Sequence, residues 1–258
     1  MRDRNLNLIR FSILKNCHQT KEGHIGSAFS ILEILYVVFK KYIEKNYFIL
    51  SKGHASIGMY AVMYFFKYMN KKTFYSFCKL NSRLGGHPDS TKLPIFNFST
   101  GSLGHGLPNA VGLAYALKLK KKKSKIICLI GDQELMEGTT WESLHVIDNY
   151  KLNNLTLIID RNNSDFRSIK FLKLKNKLSV FSNKVYEVDG HKTPSIDKIL
   201  RKCVNNKQFS IIIANTVKGF GIKAIENNPA WHHKAPSARE IELFKKELKL
   251  WERYFQKQ

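Results

Sequence analysis

The sequence predicts an α/β fold, an open and mostly parallel sheet with helices on both faces. Three observations predict it. Short apolar, β-rich runs, "IICLI" at 126–130, "LTLII" at 155–159, "VYEV" at 185–188 and "SIIIA" at 210–214, alternate with helical patterns. Strands that alternate with helices build parallel β-α-β units covered on both sides. Each run then stops at polar or glycine-bearing residues, "GDQE", "DRNN", "DGH" and "NTVKGFG". Finally, 258 residues with 43% hydrophobic and 24% charged content match a globular chain with one large core. The chain therefore reads as a single domain over 1–258 with a helical tail.

In chain order, "SILEILYVVFKKY" at 30–42 and "ASIGMYAVMYFFKYM" at 55–69 have the spacing and length of buried helices. "KLKKKKSK" at 118–125 closes an apolar helical pattern just before the first strand run. Cations suit a helix C-terminus, and this run reads as a solvated turn. "TTWESLHVIDNYKL" at 139–152 is the helical pattern between the first and second strand runs. "REIELFKKELKLWERYFQKQ" at 239–258 is an amphipathic helix that either closes the domain or docks elsewhere. No internal repeat interrupts this order.

The net charge of +23, from 43 Lys and Arg against 20 Asp and Glu, raises nucleic acid as a partner. Against it, the basic residues are scattered along the chain, and no zinc spacing, stacking-aromatic motif or arginine-rich helix accompanies them. The expectation is no nucleic acid and no membrane partner. Four cysteines, Cys17, Cys78, Cys128 and Cys203, lie far apart without a C-x-x-C, which argues against a metal site or a disulfide framework. The start, "MRDRNLNLIRFSILKNC", lacks the apolar run of a signal peptide, and "ILEILYVVF" is short and holds Glu33. A cytoplasmic location is expected.

In open parallel sheets ligands collect beyond the carboxyl ends of the strands. Gly131 followed by Asp132 makes a turn whose amides can face an anion while the carboxylate faces a cation. Asn162 follows thirty positions after Asp132, at the end of the next strand run. An Asp carboxylate and an Asn amide oxygen are hard ligands, suited to Mg²⁺ or Ca²⁺ shared with a diphosphate. Each is also a common turn residue, and either alone reads as a cap.

Together, "GDQELMEGTTWESLHVIDNYKLNNLTLIIDRNN" resembles the diphosphate-binding motif of thiamine diphosphate enzymes in its transketolase form. "GHIGSAFSILEIL", "LSKGHAS", "SRLGGHPD", "STGSLGHGLPNAVGLAYA", "VDGH", "NTVKGFG" and "AWHHKAP" resemble that family's other loops in the same order along nearly the whole chain. The resemblance implies a thiamine diphosphate-binding fold and the N-terminal subunit of a split transketolase, an enzyme that transfers a two-carbon ketol unit from a ketose phosphate to an aldose phosphate.

Carried over residue by residue, it implies metal ligation by Asp132 and Asn162 with the backbone carbonyl of Ser164, and Mg²⁺ or Ca²⁺ as the ion. Gly131, Asp132, Gln133, Asn162, His54 and Gly104 would bind the cofactor, and His24, His87 and His232 would handle substrate hydroxyl protons. Glu137 matches a family acid near a domain interface. The acid that activates the cofactor and most of the phosphate-binding arginines lie in a further domain of the family. The resemblance therefore implies a partner, the C-terminal transketolase subunit, in a heterodimer or heterotetramer, with no activity for this chain alone.

Three departures stand out. Gln133 replaces the second Gly of G-D-G, which would strain the turn if that position needs a positive φ. His233 stands where Gly is usual, and the segment after Asn163 is short and basic. Two alternatives remain beside the transketolase reading. One is another thiamine diphosphate enzyme, against which "SKGHA" and "WHHKAP" argue. The other is a basic non-enzymatic protein that keeps the fold, against which Asp132, Asn162 and the loop histidines argue.

Overall fold

The computed structural model describes residues 3–163 and 171–250. Its helices are α1 (Arg4–Thr20), α2 (Ile25–Ser30), α3 (Leu32–Lys41), α4 (Ser56–Phe65), α5 (Lys71–Phe74), α6 (Gly106–Leu119), α7 (Gly138–Asn149), α8 (Leu174–Leu178), α9 (Thr193–Asn205) and α10 (Ala238–Glu247). Its strands are β1 (Tyr47–Leu50), β2 (Ile126–Gly131), β3 (Leu155–Arg161), β4 (Val185–Asp189) and β5 (Ser210–Asn215). All pairings are parallel, in the order β1-β2-β3-β5-β4.

Side-chain alternation along the strands divides the core into two layers. Ile127 and Leu129 of β2, Ile158 of β3, and Ile212 and Ala214 of β5 pack on one face with α1 to α4, α9 and α10. Ile126, Cys128 and Ile130, then Leu155, Leu157 and Ile159, then Ile211 and Ile213, pack on the other with α6, α7 and α8. Burial on both faces is why these strands are continuous apolar runs rather than alternating ones.

The four expected strands are present, each within a residue or two of its run. The structure adds β1 at one edge and α1 at the start. α1 was hidden because Asn7, Arg10 and Asn16 break its apolar face, yet all three are buried. Asn7 and Asn16 donate to the carbonyls of Leu248 and Phe74, and Arg10 is paired with Glu33. Gln133 lies in a short 3-10 turn, Asp132–Met136, and is not among the residues at positive φ. The strain expected from replacing glycine is therefore absent. Ser164 and the end of the tail lie outside the described residues, and α10 accounts for the tail's beginning.

The structure refines one reading of the sequence. Nine of the lysines scattered in the chain come together in space, because the parallel topology collects the loops that precede the strands at one end of the sheet. Lys45, Lys120 to Lys123, Lys125, Lys151, Lys184 and Lys207 all precede strands there.

Candidate functional site

The opposite end of the sheet gathers the motifs. In register, Gly131 of β2 lies beside Asp160 of β3, and Asp160 beside Ala214 of β5. The Asp132 carboxylate, just beyond β2, accepts the backbone amides of Asn162 at 3.1 Å and Asn163 at 2.8 Å, both on Oδ2. The thirty-residue spacing thus closes into one contact across adjacent strand ends. Asn163 takes a positive φ of 49° to present its amide, a conformation Asn tolerates better than most residues. Burial pushes the Asp132 carboxyl above its ordinary range, helped by the nearby Asp160 and opposed by the two amides.

Beneath this turn lies a buried polar layer that sequence reasoning missed. Asp160 is fully buried and accepts Ser30 Oγ at 2.7 Å, Asn162 Nδ2 at 3.1 Å, the Lys52 ammonium and the Thr216 hydroxyl. Burial alone would raise its carboxyl, but the Lys52 charge and these donors hold it low. Glu134 is equally buried. It accepts the Gly131 amide at 2.8 Å, the Gly104 amide at 3.2 Å and the Ser51 hydroxyl. The Gly131 amide, expected to face an anion, is therefore committed to Glu134.

Gly104 is likewise a packing glycine. It has φ of +77°, and an added Cβ would stand 2.6 Å from the Glu137 Cβ. The short-range spacing "GDQE" could have flagged Glu134, whereas Lys52 and Asp160 are separated by 108 positions and gave no local signal.

Three of the four predicted loop histidines meet. The His24 ring lies 5.4 Å from both the His54 and His232 rings and 4.5 Å from His233. His87 stands at the margin, exposed and packed against Gly101. Burial and then the facing imidazoles lower His24 to about 4. Burial and then Lys52 lower His54 to about 2. Both rings are neutral at neutral pH.

Lys218 Nζ contacts His232 Nδ1 at 2.9 Å. An ammonium can only donate, so His232 accepts at Nδ1 and carries its ring proton on Nε2. His233, the departure from the family pattern, contacts Glu22 Oε2 at 3.0 Å.

These groups border a cleft of about 560 Å³ whose lining includes Lys52, His54, Gly131, Asp132, Gln133, Asn162, Lys218 and His232. The fit to a metal-bound diphosphate is chemical. Asp132 is a half-buried carboxylate in want of a cation, and the Asn162 amide, with Nδ2 on Asp160, directs its oxygen away from that carboxylate. Lys218 and His232 supply positive charge and a donor across the cleft.

A parallel α/β domain with an acid, an amide and imidazoles at its strand ends defines a cofactor-binding class, in which the fold positions a reagent and polar side chains orient it. The chain belongs to the transketolase family. Residues 1–256 match the model described as transketolase, thiamine diphosphate binding domain.

The chain is 36% identical over 254 residues to one subunit of the apulose-4-phosphate transketolase of Actinobacillus succinogenes, covering 92% of this chain and 91% of that protein. It is 34% identical over 244 residues to the transketolase of Homo sapiens, covering 88% of this chain but 39% of that one. Among solved structures, a transketolase from Campylobacter jejuni shares the fold with a TM-score of 0.84 at 24% identity, covering 96% of this chain and 43% of that chain. The chain thus spans about two fifths of the Homo sapiens and Campylobacter jejuni transketolases, and nearly the whole of the Actinobacillus succinogenes subunit.

Proposed function

We propose that this chain is the diphosphate-binding subunit of a split transketolase, working with a separate C-terminal subunit to move a two-carbon ketol unit between sugar phosphates. The observation that carries the reading is the closure of Asp132 on the Asn162–Asn163 turn, beside the His24, His54 and His232 rings. Bound thiamine diphosphate supplies the electron sink that lets the bond beside a ketose carbonyl break. Asp132 and Asn162 hold a divalent ion, Mg²⁺ or Ca²⁺, through hard oxygens. Among the described residues no group of three or more His, Cys, Asp or Glu could hold an ion, so the remaining ligands would come from the diphosphate and from backbone such as Ser164.

Lys218 balances phosphate charge at the cleft wall. His232 donates from Nε2 to a sugar hydroxyl, while its Nδ1 stays on Lys218. His24 and His54, held neutral, can accept a hydrogen bond from a substrate hydroxyl and orient it. Glu134 fixes the turn by binding the Gly131 and Gly104 amides, which keeps Asp132 at the cleft wall. Water exclusion and the remaining donors fall to the partner subunit.

The test is ketol transfer from xylulose 5-phosphate to ribose 5-phosphate with thiamine diphosphate and Mg²⁺, for this chain alone and mixed with its C-terminal subunit. Activity only in the mixture, lost in Asp132→Ala, is expected; silence in a mixture that demonstrably forms a complex overturns the reading for these sugars. Similarity over more than nine tenths of both chains to a transketolase subunit named for apulose 4-phosphate favours that sugar phosphate as a second donor, to be assayed in parallel.

A further inference from the structure

The amino-terminal end of the sheet, opposite the cleft, carries a charge pattern that ketol transfer does not use. We propose that this end is a binding surface for the phosphodiester backbone of single-stranded nucleic acid. Every strand is preceded by lysine: Lys45 before β1, Lys120 to Lys123 and Lys125 before β2, Lys151 before β3, Lys207 before β5 and Lys184 before β4. Hydrogen bonds tie the loops together. Lys125 donates through Nζ to the carbonyls of Asn153 at 2.8 Å and Asn206 at 2.7 Å, and its amide reaches Asn46 Oδ1 at 3.3 Å.

Helix capping explains only part of this charge. Lys40, Lys41, Lys118 and Lys202 lie in the last turns of α3, α6 and α9, where the helix dipole attracts cations. Lys120 to Lys122 close the end of α6 and share in that attraction, but the dipole fades beyond the terminus, so Lys45, Lys123 and Lys207 need another reason. Acids do not supply one. Lys151 is paired with Asp148 at 2.9 Å, but among the described residues Lys45, Lys120 to Lys123 and Lys207 enter no ion pair.

The uncharged residues at this end point to the partner's chemistry. Asn153, Asn183, Asn205 and Gln208 are exposed there, and amide side chains bond phosphate and sugar oxygens. Tyr115 and Tyr150 are exposed with ring centroids 5.1 Å apart, next to Lys118, which donates to the Tyr150 carbonyl at 2.6 Å. Such rings offer a face on which bases stack. A bilayer would instead need a continuous apolar face, which Leu119, Val180 and two tyrosines set among lysines and amides do not give. Five strands about 4.8 Å apart spread the loops over roughly 19 Å, room for about three phosphates of an extended single strand.

The test is fluorescence anisotropy of the full chain with a labelled twenty-nucleotide uridine strand. Neutralising about three phosphates predicts binding that weakens roughly twentyfold between 50 and 200 mM salt. The charge reversal K120E/K121E/K122E/K123E should weaken binding at least tenfold at 50 mM salt in a protein that still unfolds cooperatively, while Lys218→Glu in the cleft binds as the parent does. Absence of binding at 50 mM salt, parental affinity in the fourfold variant, loss of binding in Lys218→Glu, or preference for phosphatidylserine vesicles over the oligonucleotide would each overturn the proposal.

Discussion

Asp132 is a carboxylate that the fold leaves at a disadvantage on its own. Its carboxyl is raised above the ordinary value of 3.8, chiefly by burial, so the folded state holds its proton more tightly than the unfolded chain does. Its contribution to stability accordingly falls as pH rises from 3.8 through the folded value. A divalent ion reverses that disadvantage. Without metal, Asp132→Asn should therefore melt at or slightly above the parent temperature. With thiamine diphosphate and Mg²⁺ at a hundred times Kd, the parent should gain about 2.7 kcal/mol, or about 5–10 °C, and the variant almost nothing. A shift of equal size in both proteins, read by scanning fluorimetry, would remove Asp132 from the metal site.

Gln133 supports a second experiment at the same scale. Because it already adopts the backbone of a 3-10 turn, Gln133→Gly relieves nothing. It should lower stability by about 0.5–1 kcal/mol through the freedom gained by the unfolded chain, measurable as a drop in the urea midpoint. An increase would show strain that the backbone does not display.

At the scale of elements, the strand ends are joined by the buried Lys52–Asp160 pair, which links the loop after β1 to the end of β3 and, through Thr216, to the loop after β5. Lys52→Met leaves Asp160 buried without its cation and should cost about 3–5 kcal/mol. The double change Lys52→Met with Asp160→Asn should recover a good part of that loss in chemical denaturation. Gly104→Ala should also destabilise, by about 1–3 kcal/mol, because its φ of +77° and the nearby Glu137 side chain both resist a Cβ.

The legibility of these elements varied for physical reasons. β2, β3 and β5 were readable because burial on both faces makes them unbroken apolar runs that end in turn residues. β1 is four residues long, Tyr47–Leu50, and no glycine or proline marks its start. Asp132 and Asn162 were readable because their spacing is short and their residue types are distinctive. Lys52, Asp160 and Glu134 acquire meaning only from partners that the topology brings to them, and the lysines before the strands become a surface only once the strands are parallel.

At the scale of the molecule, the histidine cluster sets an acid limit. His24 and His54 fall from 6.5 to about 4 and about 2 on folding. Between 6.5 and those values the unfolded chain binds protons that the folded chain refuses, so stability is full above 6.5 and declines as pH falls. Moving from pH 7.5 to 5.5 should cost about 1 kcal/mol through His54 and less through the more exposed His24. Urea midpoints at the two pH values give the number, and His54→Gln should flatten the difference. A midpoint that rises on acidification would contradict the neutral assignment of both rings.

Charge is segregated along the strand axis. Asp132, Glu134, Asp160 and Asp189 lie at the carboxyl ends of the strands, and lysines that enter no ion pair among the described residues lie at the amino ends. The protein is thus a dipole as well as a polycation. Its far field draws an approaching anion toward the end without the cleft, and among the described residues Lys52, Lys218 and the imidazoles at the cleft correct the course at short range. At an ionic strength of 0.1 M the far field fades beyond about 10 Å, leaving the local correction intact. Salt should therefore slow the association of an anionic cofactor far less than a net charge of +23 spread evenly over the surface would imply.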